Sequence, residues 1–140
     1  MIEVAAEHSD GLCTWNMPAT HTERTRATIG NGPGLYTAQF CLLCEEPSEA
    51  RTLARKAISM YVGLDYYQRA WRQLGFDDTD FPAGGSDRLV DTLVAWGGID
   101  RIRGRIGEQL DAGATQVVAV PLNPAGASEP AWELLEGLGT

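Results

Sequence analysis

The order of apolar and polar positions divides the chain into short elements of two periods. Residues 2–9 carry Ile2, Val4, Ala5 and Ala6 and predict a short helix closed by Asp10-Gly11. Leu12-Cys13-Thr14-Trp15 follows as a compact apolar run of strand type. Pro18 and Thr20 open the next unit. There Thr20-His21-Thr22-Glu23 has the spacing of a capping box, in which each end satisfies a free amide of the other, and a polar helix is predicted over residues 21–29. Gly30-Asn31-Gly32-Pro33-Gly34 stops it, since Gly and Pro supply turn geometry. Residues 35–44 form the strongest strand signal. Its second half is apolar at consecutive positions, which predicts burial on both faces, as in a parallel sheet.

Helical spacing then dominates. Residues 48–62 place Leu53, Ala57, Met60 and Tyr61 on one face, with Pro47 suited to the first turn. A second helix, over residues 65–74, carries Tyr66, Tyr67, Ala70, Trp71 and Leu74. After an irregular acidic connection at residues 77–85, Ser86 is placed to cap a helix over residues 87–96, with Leu89, Val90, Leu93 and Val94 as its apolar face. Residues 100–112 repeat the pattern with Ile102, Ile106 and Leu110, and Gly113 stands at the C-terminal end. Residues 116–120 read as a third strand, and a last helix lies near residues 131–138. Strands separated by helices predict an α/β domain over residues 1–140, with three parallel strands and six to seven helices. Three strands make only an open arc of sheet.

Composition narrows the possible partners. With 44% hydrophobic and 21% charged residues, the 140-residue chain is globular in character. Its net charge of -8 argues against a nucleic-acid backbone or an anionic membrane surface as partner, because both require clustered Lys and Arg. No apolar run reaches the length of a membrane span, and residues 1–8 lack a basic region followed by an apolar stretch. The cysteines are odd in number, at positions 13, 41 and 44, and fit a reduced, cytoplasmic setting.

Four features invite a chemical reading. Cys41 and Cys44 have C-x-x-C spacing, but residues three apart on a strand point to opposite faces, so structural thiols are the better reading. The Gly30–Gly34 run follows a helix and opens a strand, the reverse of a phosphate loop, and reads as a turn. Asp77-Asp78-Thr79-Asp80 lacks the spacing of a calcium loop and reads as a solvated turn or cap; no metal site is expected. Trp15, Asn16 and His21 lie just past the first strand, Glu45 past the second and Asn123 past the third. Ligands in parallel α/β folds bind beyond the carboxyl ends of strands. No nucleophile-plus-base arrangement can be assembled, so the catalytic residues stay unassigned.

Four stretches together carry a resemblance: Met1-Ile2-Glu3-Val4-Ala5-Ala6-Glu7-His8-Ser9-Asp10-Gly11; residues 64–76 ending Leu74-Gly75-Phe76; Gly84-Gly85-Ser86-Asp87-Arg88-Leu89-Val90-Asp91 through Ala95-Trp96-Gly97; and Leu110-Asp111-Ala112-Gly113-Ala114 running into Val117-Val118. In order and spacing they resemble the C-terminal half of luciferase-like monooxygenases, of the actinobacterial type that uses the deazaflavin coenzyme F420. The resemblance implies the last three strands of a (β/α)8 TIM barrel. It also implies hydride transfer between F420 and a small organic substrate, or oxygen insertion in relatives that use FMN, the less expected cofactor here. The cofactor ring would lie at the carboxyl face, which makes Trp15, Asn16 and Glu45 candidate cofactor-binding positions. The family's first five strands have no counterpart in this sequence. The chain alone is therefore expected to be inactive and to bind F420 poorly, as a truncated member. Its open sheet is expected to expose an apolar inner face and two edges, an invitation to homo-oligomers. The alternative reading is a non-catalytic interaction module or companion subunit that associates through that sheet.

Overall fold

The computed structural model describes residues 2–125 and 129–139. Its elements run α1 (Ile2–His8), β1 (Gly11–Trp15), α2 (Ala19–Ile29), β2 (Gly34–Leu43), α3 (Pro47–Val62), α4 (Asp65–Arg72), a 3-10 turn at Pro82–Gly84, α5 (Asp87–Leu93), β3 (Val94–Gly97), α6 (Ile99–Asp111), β4 (Gln116–Leu122) and α7 (Trp132–Gly139). The sheet is parallel throughout and has four strands, not three. The helix expected over residues 87–96 stops at Leu93, and Val94–Gly97 leaves it as a strand beside Phe40–Leu43.

β2 organises the sheet. β4 pairs with it from Tyr36 to Leu42, β1 from Gly34 to Ala38 and β3 from Phe40 to Leu43. A strand has only two edges, so β1 and β3 follow one another along the edge opposite β4. The chain thus steps forward from β1 to β2, back to β3, then across to β4. Right-handed crossovers in alternating directions put helices on alternating faces, and the core is divided accordingly. On one face Phe40, Leu42, Val94 and Trp96 pack with Ala50, Ala54, Ile58 and Val62 of α3, Trp71 of α4 and Leu89, Val90 and Leu93 of α5. On the other, Cys41 and Ala95 meet Ile102 of α6 and Leu134 of α7.

This double cover corrects the expectation of a wholly bare inner face. Helices α3 to α5 bury its upper part. Lower on the same face Trp15, Tyr36 and Val118 stay about 40% exposed, at 40%, 39% and 43%.

Local chemistry explains several departures from the simple pattern. The capping box at Thr20 does not form; α2 begins two residues earlier, after Pro18, with no side-chain cap. Glu46 caps α3 instead, its carboxylate accepting from the Ser48 and Glu49 amides at 3.2 and 2.7 Å. The buried stripe of α3 is Ala50, Ala54, Ile58 and Val62, and Met60 faces solvent. Small residues at successive turns let this helix lie close to the sheet. Ser86 does cap α5, accepting from the Leu89 amide at 3.1 Å. On α6 the buried positions are Ile102 and Gln109, while Leu110 points outward. Gln109 ends in a closed relay: it accepts from the Thr22 hydroxyl at 2.6 Å and donates to the Met17 carbonyl at 3.0 Å and to Gln39 Oε1 at 3.2 Å.

Candidate functional site

β1 ends early. Trp15 pairs with Ala38, five positions before β2 finishes at Leu43. At about 3.3 Å per residue the two carboxyl ends are staggered by roughly 16 Å. Residues nominated from the ends of different strands are therefore not gathered at one place.

Trp15 lines a cavity of about 290 Å³ alongside β1, walled by Ile2 and Ala5 of α1 and by Tyr66 and Tyr67 of α4. Its indole donates to the Tyr61 hydroxyl at 3.0 Å and stands edge-on to Phe40, with ring centres 5.8 Å apart. Aromatic contact continues inward from Phe40 to Tyr61, Tyr67, Trp71 and Phe81. His21 opens onto the same cavity, with Nδ1 3.3 Å from the Thr25 hydroxyl. Burial, with Arg24 adding to it, lowers the His21 pKa below the usual imidazole value, so the ring is neutral at pH 7. Thr14 also lines the cavity, and its buried hydroxyl has no hydrogen-bond partner. No Asp, Glu, Lys or Arg is among the lining residues.

Asn16, the next residue, is 2% exposed and sits at φ 57°, a left-handed conformation that Asn tolerates better than most. Neither its amide oxygen nor its amide nitrogen finds a partner. A buried amide left with both ends unpaired costs free energy on each.

Glu45 belongs elsewhere. It lines an open recess of about 530 Å³ with Gly97, Gly98 and Arg101 at the start of α6. A Cβ on Gly98 would come within 2.9 Å of the Glu45 carboxylate, so a side chain there would push that flexible carboxylate aside. Asn123 organises the turn after β4, donating to the Glu129 carbonyl at 2.6 Å and accepting from the Ala125 amide at 2.9 Å. The structure thus joins Trp15 and His21, buries Asn16 beside them in sequence, and separates Glu45 and Asn123 from all three.

The remaining features keep structural roles. Cys41 is fully buried and burial pushes its thiol up to about 12, while Cys44 is partly exposed; all three cysteines are free thiols. Asp77 accepts from the Thr79 amide and hydroxyl at 2.8 and 2.6 Å, the geometry of a local turn. No metal-holding group of His, Cys, Asp and Glu occurs among the described residues. Nor is any described helix long and apolar enough to cross a membrane. Tyr66, Tyr67 and Thr14 are site residues that sequence reasoning missed. No local signal marks them, because α4 reaches β1 only through the tertiary fold.

No family model and no curated protein matches the sequence. Solved structures do match the fold. The coenzyme F420-dependent tetrahydromethanopterin reductase of Methanopyrus kandleri superposes with a TM-score of 0.70 at 18% identity, over 98% of this chain and 46% of its own. An F420-dependent secondary alcohol dehydrogenase, solved with an F420-acetone adduct, superposes with a TM-score of 0.60 at 8% identity, over 98% and 45%. The chain therefore has a partial TIM-barrel-like α/β fold and spans a little under half the length of these structures.

Proposed function

We propose that this chain forms the C-terminal arc of a luciferase-like, F420-dependent oxidoreductase acting on a small organic substrate. One observation carries the reading: nearly the whole chain follows the fold of two F420-dependent enzymes whose own chains are about twice as long. Trp15 and Asn16 are the positions we assign to the cofactor side, where a neutral, aromatic-walled recess and an unpaired amide suit the edge of a planar ring. Glu45, on the higher rim, would stand farther out.

The residues present do not fit the whole coenzyme. The recess lies just below the size of ordinary ligand pockets, and no cation lines it to hold a phosphate. The strands that this sequence does not contain would supply those contacts. Titrating F420 fluorescence with the purified chain should therefore show no saturable change. Joining the unmatched half of the Methanopyrus reductase to the front of this chain should restore stoichiometric binding. A folded fusion that binds no F420 would sink the assignment, and tight binding by the chain alone would sink the claim that it is an arc. A second reading, a companion subunit that associates through its sheet, is favoured by the exposed Trp15, Tyr36 and Val118.

A further inference from the structure

A second cavity lies at the carboxyl end of β2 and β4, the end where ligands of parallel α/β folds bind. It measures about 640 Å³, within the ordinary range for small-molecule sites. None of its lining residues belongs to α1, β1 or the recess beside them. Leu42 of β2 and Leu122 of β4, which are register partners, both line it. α3 contributes Leu53, Lys56 and Ala57, and the turn before α7 contributes residues 129–131. Lys56 is the one lysine among eleven basic residues. Arg51 and Arg55 of the same helix each hold a carboxylate of α5. The Lys56 ammonium has no ionic or hydrogen-bond partner among the described residues, although Glu129 lines the same cavity.

We infer that this cavity binds a small apolar monocarboxylic acid, with Lys56 as the cation that holds its carboxylate. Leu42, Leu53, Pro121 and Leu122 give the hydrocarbon body an apolar lining. An ammonium on a flexible stem follows a carboxylate as a point charge, and apolar walls that exclude water strengthen the attraction. In a chain of net charge -8, an unpaired cation at an apolar cavity is a place where an anion gains rather than loses. Glu129 restricts the choice. A second carboxylate on the ligand would meet its like charge, so a monoacid is preferred to a diacid. Asn123 adds nothing to the ligand, because both ends of its amide are engaged within the turn. The acid's role as substrate rests on the oxidoreductase reading, in which the carboxylate is a handle and not the reacting group.

Hexanoate is the probe. Titrated into the purified chain without F420 and followed by methyl nuclear magnetic resonance, it should shift Leu42, Leu53 and Leu122 and saturate. Lys56→Gln, at an exposed position, should keep the far-ultraviolet spectrum of the parent and weaken hexanoate about tenfold, as expected for one lost charged hydrogen bond. Lys56→Arg should stay near the parent. Adipate should bind more weakly than hexanoate and gain in Glu129→Gln. No shift at the three leucines overturns the inference. So does hexanol that binds as tightly as hexanoate, or hexanoate indifferent to Lys56→Gln, because Lys56 would then only cover an apolar crevice with its stem. Adipate equal to hexanoate overturns the monoacid preference. The F420 reading fails separately: a fusion that binds no F420, beside a chain that binds hexanoate through Lys56, removes the oxidoreductase and leaves the acid site standing.

Discussion

Asp80 is 3% exposed, and its carboxylate accepts from three neighbouring residues. Arg88 forms an ion pair with it, the Ser86 hydroxyl donates at 2.6 Å and the Asp77 amide at 3.0 Å. Hydrogen bonds from Arg88 are the chief reason its carboxyl is held down to about 2, against a desolvation that pulls the other way. Because the folded value lies below the unfolded one, this stabilisation is complete above about pH 4 and is lost as pH falls toward 2. The fall from 3.8 to about 2 corresponds to about 2 kcal/mol. Asp80→Asn should therefore unfold at lower urea at pH 7 and draw level with the parent near pH 2. An equal deficit at both pH values would show that the charge is not the source.

At the level of elements, the connections rest on single side chains that no pattern announces. Arg26, on the last turn of α2, donates to the Gly30 and Pro33 carbonyls at 2.7 and 2.9 Å. It also reaches the Gly113 carbonyl at 2.9 Å and the Thr115 hydroxyl at 3.1 Å. It thereby ties the start of β2 to the turn between α6 and β4. The Gly113 position also needs glycine, with φ at 103° and the Arg26 side chain where a Cβ would stand. Arg26→Ala should destabilise the chain by about 2–3 kcal/mol in urea melts, and Arg26→Lys should recover less than half, since a point charge cannot serve four acceptors in a fork. Full rescue by Lys would contradict this.

The same scale shows what could be read beforehand. Helix and strand order was legible because Gly, Pro and capping residues mark the ends. β3 was not: Val94-Ala95-Trp96 follows Leu93 without a break, and a four-residue apolar run fits either period. The length of β2 decides it, because β1 leaves Phe40–Leu43 unpaired along one edge. That stagger also explains the site. The apolar run marks Trp15 as the end of β1 and puts Asn16 just past it, as the structure does, but nothing in the sequence gives register. Their distance from Glu45, and the approach of Tyr66 and Tyr67, could not be foreseen.

For the molecule as a whole, unequal pairing predicts unequal stability. β2 is the one strand that pairs with all three others, and Leu35, Cys41 and Leu42 on it are fully buried. No sub-global opening frees it while the rest stays folded, so its amides should exchange with solvent only through complete unfolding. α1 is the opposite case. It has seven residues, none fully buried, and hangs on β1 at an open edge. Its amides should exchange by local fraying, independent of denaturant. Hydrogen exchange in rising sub-denaturing urea separates the two: rates in Gly34–Leu43 should climb with the full unfolding slope, and rates in Ile2–His8 should stay flat.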